Sequence, residues 1–303
     1  MDLEGLQTDI EVTPGGVTLG RRMIRAAWAM PTFKIGLIVL VALAVLAIVW
    51  PEFSAASATK ISVRERFMAP AFLEGGSWAH ILGTDQLGRD LLLRSLIGLR
   101  NALAIGVASV ILMFVLGCSI GVIAGYKGGW VDIVLMRITD AQLSIPIIIL
   151  AITILGVSRP TAFTVIAVLV LAGWPIYARV ARSVTLAERR REYVRGETIL
   201  GASDLRIMVI MIAPNILPPI AFVAVLDVAR MMIFEAIFGF IGIGIQPPTP
   251  TFGNMIADGT KYLINNWWIP TLPGVLLVLS LSSINLMGAA LERARNQLFK
   301  GIV

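Results

Sequence analysis

Uncharged, strongly apolar runs recur along the chain at helix length, without the two-residue alternation of a half-buried strand, and this pattern predicts membrane-crossing helices. Six such runs are legible: Ile35 to Trp50, Asn101 to Tyr126, Ala141 to Ser158, Pro160 to Ala178, Ile207 to Leu226 continuing past Asp227 and Arg230, and Asn265 to Leu291. In hydrocarbon every backbone polar group must be bonded within its own segment or within a closed barrel, so the runs are expected as helices. Arg159 and Pro160 divide the long central stretch into a tight hairpin, because proline after a polar break ends a helix. Pro214, Pro218 and Pro219 loosen the start of the fifth run, and Gly239, Gly242 and Gly244 permit close helix approach later in it. A kinked fifth helix lining a pathway is therefore expected. The predicted divisions are a tail at 1–32, a first span at 33–50, an external segment at 51–100, a helical core at 101–292 containing a charged loop at 184–214, and a second tail at 293–303.

Composition agrees with this pattern. Of 303 residues, 57% are hydrophobic and 15% charged, against roughly 45 to 50% apolar in a soluble domain. The expected class is an all-α integral membrane protein with six transmembrane helices. Lys and Arg placement gives the orientation. With the N-terminus cytoplasmic, the inside segments hold Arg21, Arg22, Arg25, Lys34, Lys127, Arg137, Arg179, Arg182, the cluster Arg189 to Arg191, Arg195, Arg206, Arg293, Arg295 and Lys300, which are most of the 25 basic residues. Both termini are then cytoplasmic. The net charge of +6 fits contact with an anionic inner leaflet and argues against a nucleic-acid partner. Ala56-Ser57-Ala58 after the first run resembles a signal-peptide cleavage site, but the acidic start (Asp2, Glu4, Asp9, Glu11) is unlike a short basic leader, so the run is expected to remain as an anchor. The first 20 or so residues are expected to be a mobile tail.

Enzyme chemistry has little to stand on. The single histidine, His80, cannot join a pair for metal, and the lone Cys118 lies in an apolar run without a CxxC partner, where it is expected to pack as a small apolar residue. GxxxxGK[ST], HExxH and GxSxG are all missing. No catalytic residue, metal or cofactor is assigned to this chain. Polar residues within spans are functional candidates by default, because a charge at a helix centre costs at least about 2.5 to 3.5 kcal/mol in lipid. Asp227, Arg230, Glu235, Asp140 and Asn285 are those candidates. Asp227 and Arg230, three apart on one helical face, can neutralise each other. They are either a structural pair or the lining of a pathway.

One stretch breaks the apolar pattern: RREYVRGETILGASDLRIMVIMIAPN, Arg190 to Asn215. Thr185 to Leu200 is rich in helix formers, Gly201 can end that helix in a left-handed conformation, and Ser203 or Asp204 can cap the next. Helix, glycine turn and helix between two spans suits docking into a groove on a soluble partner, and equally suits resting on lipid with arginines meeting phosphates.

The same stretch resembles the cytoplasmic coupling loop of ABC importer permeases, through Arg191, Glu192, Val194, Leu200, Gly201, Ala202, Ser203, Asp204, Arg206, Pro214 and Asn215. The three residues that name that loop, Glu-Ala-Ala, are Arg195, Gly196 and Glu197 here, and Ala213 replaces the Leu before Pro214. A second stretch, HILGTDQLGRDLLLRSLIGLRNALAIG, resembles the signature of the C-type permease of the dipeptide and oligopeptide group, at Gly83, Thr84, Asp85, Gly88, Arg89, Asp90, Arg94, Gly98, Arg100 and Leu103. It is placed outside, where Asp85 or Asp90 can cap a helix and Arg89 can pair locally, as a brace or as a contact for substrate or binding protein. MRITDAQLSIP, FEAIFGFIGIG and FGNMI, with Asn285 and Gly288, extend the likeness from about Lys34 to Asn296.

The resemblance implies a type I importer permease of the bacterial inner membrane. Its implied partners are a second, B-type permease, two cytoplasmic ATPase subunits that bind ATP and magnesium, an external substrate-binding protein and membrane lipids. It implies peptide cargo, with nickel or a sugar-derived ligand as alternatives. A secondary transporter or a membrane scaffold is the rival outside the family.

Overall fold

The computed structural model describes residues 16–53 and 58–300, and the regular elements among them are helices. In chain order these are α1 (Gly16–Ala29), α2 (Pro31–Phe53), α3 (Leu91–Lys127), α4 (Gly129–Leu143), α5 (Ile147–Leu155), α6 (Ala162–Glu188), α7 (Glu192–Ile199), the single turn α8 (Asp204–Arg206), α9 (Ala213–Phe240), α10 (Phe252–Thr260) and α11 (Trp268–Lys300). A π-helical segment, Ile207–Ile212, joins α8 to α9. The expected opening tail lies outside the described residues as far as residue 15, as do Ala56 and Ser57 of the cleavage-like triplet.

α2, α3, α6, the continuous run Asp204–Phe240 and α11 as far as Gln297 are each long and apolar enough to cross a membrane. α4 and α5 make a sixth crossing only as a pair, bent by 83°. The run expected as one helix, Ala141 to Ser158, is thus corrected: Pro146 has no N–H to donate and stands as the N-cap of α5, so the chain bends there instead of at Arg159 alone. α3 begins at Leu91, not Asn101, because Arg94 and Arg100 interrupt the uncharged run without interrupting the helix. The last helix passes through Arg293 and Arg295 to Lys300, so most of the predicted second tail is helical. α1 likewise occupies half of the predicted first tail. In the fifth span Pro218 and Pro219 lie inside α9 without ending it, and the expected disruption takes the form of π winding just before Pro214.

α3 is the hub, packed along its length against α6 and against α9 and α2. Its seam with α6 is lined by Gly117, Gly121 and Gly125, four residues apart and so on one helical face. A Cβ at Gly117 would overlap the Trp174 carbonyl oxygen, and one at Gly125 would lie 2.8 Å from the Thr185 Cβ. Lipid chains are as apolar as the side chains, so helices in a bilayer associate by close backbone approach and dispersion, and small residues are what permit it. The bundle interior around this seam holds Met113, Tyr177, Leu169 and Val165, all buried, and Cys118 packs with them as a small apolar group. A second cluster, including Leu99, Met232, Phe252 and Ile284, joins α3 to α9, α10 and α11. Outward-facing Ile38, Ile111 and Ile149 leave an apolar perimeter, the surface expected of a bundle that faces lipid.

Candidate functional site

The charged turn. The single helix expected over Thr185 to Leu200 is two helices. α6 stops at Glu188, whose carboxylate is gathered from three sides: Arg191 Nε approaches Oε1 at 3.0 Å, and Oε2 accepts from the Tyr193 hydroxyl and from Asn215 Nδ2 at 3.3 Å. Asn215 Nδ2 also donates to the Tyr193 hydroxyl oxygen at 3.0 Å, so the ends of α6 and α7 and the start of α9 share one polar node. Burial, and then the bond to Glu188, pushes the Tyr193 hydroxyl above its ordinary range, so it stays a donor at physiological pH.

α7 is anchored by Val194, only 2% exposed. Gly201 follows at φ +83°, a conformation that L side chains rarely adopt, and the chain reverses. Ser203 caps the next turn, accepting from Arg206 N at 3.4 Å. Asp204 reaches back to the end of α3, with Oδ2 2.5 Å from Lys127 Nζ and Oδ1 accepting from the Tyr126 hydroxyl at 3.0 Å. The Arg189 guanidinium lies 5.6 Å from the centre of the Tyr126 ring. Arg195 is exposed, Gly196 has open space where a side chain would stand, Glu197 and Ala202 are half-buried, and the tip projects Ile199 and Leu200, 86% and 82% exposed. The tip of this charged turn therefore presents two large apolar side chains away from the bundle.

The charge knot. At the opposite end of α3, Gly83, Thr84, Asp85, Gly88, Arg89 and Asp90 fold into one buried unit. Gly83 (φ +76°) and Gly88 (φ +74°) supply the reversals. Asp85 Oδ2 takes Arg89 Nε at 2.7 Å and Arg94 Nε at 3.4 Å, while Oδ1 accepts from Leu87 N at 2.8 Å and Arg89 N at 3.0 Å. Thr84 Oγ1 donates to the Glu65 carbonyl and accepts from Met68 N at 2.9 Å. Asp90 caps α3 by accepting from Leu93 N at 2.7 Å, and its other oxygen lies 2.8 Å from His80 Nδ1. Arg94 Nη1 donates to the Ala58 carbonyl at 3.0 Å. Charges this buried are tolerated only when paired and hydrogen-bonded, as these are.

The spans. Asp227 Oδ1 and Arg230 Nη2 meet at 2.9 Å, with the Asp227 side chain 6% exposed and that of Arg230 41% exposed. Glu235, two turns on, is 1% exposed and neither carboxylate oxygen has a hydrogen-bond partner. Asp140 pairs with Arg179 at 2.6 Å on an exposed surface, and Asn285 is exposed on α11. Of the polar candidates within spans, the structure joins only Asp227 to Arg230. Glu188, Tyr193, Lys127 and the pair Arg182–Asp132, 2.5 Å apart, escaped the sequence reading. The signal for the first two was Asn215, an amide in an apolar run that needs polar partners.

Residues 117–297 match the family described as binding-protein-dependent transport system inner membrane component. The di/tripeptide transport system permease of Pseudomonas aeruginosa is 36% identical over 225 residues, covering 74% of each chain. The dipeptide transport system permease of Haemophilus influenzae is 33% identical over 260 residues, 86% of this chain and 88% of that one. That of Escherichia coli K12 is 36% identical over 232 residues, 76% of this chain and 77% of that one. Among solved structures, the methionine ABC transporter MetNI in an inward-facing conformation superposes with TM-score 0.53 at 22% identity, over 68% of this chain and 96% of that one, a likeness of fold.

Proposed function

The chain belongs to the family of binding-protein-dependent transport system inner membrane components, and from that premise we propose that it forms, with a second permease, the pathway for dipeptides or oligopeptides. It is the permease of a peptide ABC importer in the inner membrane. An external binding protein delivers the cargo, and two cytoplasmic ATPases grip the turn at Gly201. Both termini then face the cytoplasm, as does the turn, and the charge knot faces outside. The observation that carries this assignment is the turn itself. Ile199 and Leu200 stand clear of the bundle, while Asp204, Glu188 and the π segment tie their base to α3, α6 and α9.

ATP closes the ATPases on one another, and a turn tied to three spans moves those spans with it. To swing the population from about 1:99 to about 99:1, nucleotide must favour one arrangement over the other by about 5.5 kcal/mol of differential binding. Substituting Leu200→Glu places a charge in the apolar contact. ATP-dependent dipeptide uptake by vesicles containing the assembled transporter should fall at least about tenfold, corresponding to loss of about 1.4 kcal/mol of contact, while the two permeases still copurify. Unchanged uptake would remove the turn from the coupling path.

The Arg230 side chain, partly open on the bundle surface inside a span, faces a polar passage rather than lipid, since a charge bare to hydrocarbon is costly. Asp227 holds it in place. Arg230→Gln and Asp227→Asn should each abolish uptake and leave ATPase assembly intact, as read by transport assay and size-exclusion chromatography. Normal uptake in both would make the pair purely structural. Competition of labelled dipeptide uptake by nickel or an oligosaccharide tests the cargo directly.

A further inference from the structure

α1 has three faces. Successive residues of an α-helix lie about 100° apart, which places Met23 and Ala27 on one side, Ile24 and Trp28 on the next, and Arg22 and Arg25 on the third. Met23 and Ala27 are buried, at 3% and 0% exposure, against Ala290, Leu291 and Ala294 of α11 and against Ala221 and Phe222 of α9. Ile24 and Trp28 are 55% and 51% exposed. Arg22 and Arg25 are exposed and have no ion-pair partner among the described residues. Met30 alone separates α1 from α2, where outward-facing Ile35 and Ile38 begin the lipid-facing surface of the first span, and Trp28 reaches back to within 5.8 Å of the Phe33 ring. The exposed apolar side of α1 is therefore continuous with a surface that lies in lipid.

A solvated helix has no use for an exposed tryptophan and isoleucine one turn apart, and a helix buried between subunits has no use for two bare arginines beside them. A helix lying in the plane of the bilayer surface uses both. Its apolar side enters the acyl boundary, tryptophan sits at headgroup depth, and arginines meet lipid phosphates. We propose that α1 is an anionic-lipid anchor: Ile24 and Trp28 insert at the membrane surface, and Arg22 and Arg25 bind the phosphates of acidic headgroups. The anchor is attached to the moving parts. Its buried side clasps the ends of α9 and α11, and there the Arg295 guanidinium stacks 4.1 Å from the Phe222 ring centre, closing the contact between those two helices. The anchor is thereby in direct contact with the helix that carries Asp227 and Arg230.

The test uses the complete transporter with Cys118→Ala, so that Trp28→Cys, or Ile24→Cys in a parallel sample, carries the only thiol of this chain for an environment-sensitive fluorophore. The complexes are reconstituted into vesicles of phosphatidylcholine alone or of phosphatidylcholine doped with phosphatidylglycerol. Nitroxides borne near the lipid headgroup should quench the label strongly, and aqueous iodide weakly, once phosphatidylglycerol is present. A basic residue near an acidic surface is worth about 1 kcal/mol, or about fivefold. Arg22→Gln and Arg25→Gln should each reduce the phosphatidylglycerol-dependent gain about fivefold, whereas Lys at either position should keep it. The same label at Ile38→Cys, in the span, should respond alike in both vesicles and report correct insertion. Equal quenching in the two compositions, dominant iodide quenching, or protection from both quenchers by a covering protein subunit would each overturn the proposal. The proposal relies on the orientation given above, but both leaflets carry the acidic lipid in these vesicles, so an inverted topology would leave its outcome unchanged and the two ideas fail separately.

Discussion

Asp85→Ala should destabilise the charge knot by about 3 to 5 kcal/mol, the cost of stripping a buried ion network of one sign. Asp85 is the shared counter-ion of Arg89 and Arg94, which are 6% and 2% exposed, and it also satisfies the backbone N–H groups of Leu87 and Arg89. Removing it leaves two buried guanidiniums without their carboxylate and two backbone amides without their acceptor. Asp258 is the other carboxylate near Arg94, but it makes no ion pair with it. Asp85→Asn keeps an oxygen for the two amides but loses the charge and turns an NH2 donor toward the two guanidiniums, so it should also destabilise the knot. Thermal unfolding in detergent, combined with limited proteolysis between residues 58 and 90, reads both variants. An alanine variant within about 1 kcal/mol of the parent, smaller than even a single unsatisfied buried group costs, would mean that the knot does not hold the N-terminal end of α3.

Gly121→Leu should be as damaging, by a different route. A Cβ at Gly121 would overlap the Ala178 carbonyl oxygen and stand 2.8 Å from the Ala181 Cβ and 2.9 Å from Arg182 N. Backbone cannot step aside as a side chain tip can, so α3 and α6 must part along the seam, opening voids around Met113 and Tyr177. Overpacking a core costs about 1 to 3 kcal/mol where side chains can rearrange. With backbone in the way, the upper end or beyond is expected, together with loss of folded permease from membranes. Fluorescence-detected gel filtration and thermal melts of the solubilised chain measure this. A monodisperse variant of unchanged melting temperature would refute the close seam.

How far the sequence foretold this structure depends on how local each feature is. Asp90 at the head of α3, Gly201 at its turn and the Asp227 to Arg230 pair are set by neighbours within four residues, and spacing alone discloses them. The true start of α3 is hidden because Arg94 and Arg100 break the uncharged run, and the counter-ion and carbonyl partner of Arg94, Asp85 and Ala58, are supplied by the folded segment before it. The bend at Pro146 was hidden the other way, by isoleucines on both sides that keep the run apolar through the break. The seam lies in plain spacing at Gly117, Gly121 and Gly125, but a membrane helix rich in small residues looks merely apolar until its partner is known. Glu188 was legible only as one more charge in a charged stretch. Its partners arrive from α7 and α9, which no local pattern brings together. Glu235 and Asp140 meet this chain's own residues, Glu235 buried and Asp140 paired with Arg179, which no local spacing discloses.

α3 has 37 residues, a length of about 56 Å at about 1.5 Å per residue, against roughly 30 Å of hydrocarbon. The excess explains how one helix carries Arg94 near one end and Lys127 at the other without placing either in oil. It also makes α3 a crossbeam: one end is bolted into the knot through Asp90, and the other holds the turn through Lys127 and Tyr126. Tilting the helix by a few degrees at the knot must appear as displacement at the turn, so the two ends of the bundle share a mechanical link through α3.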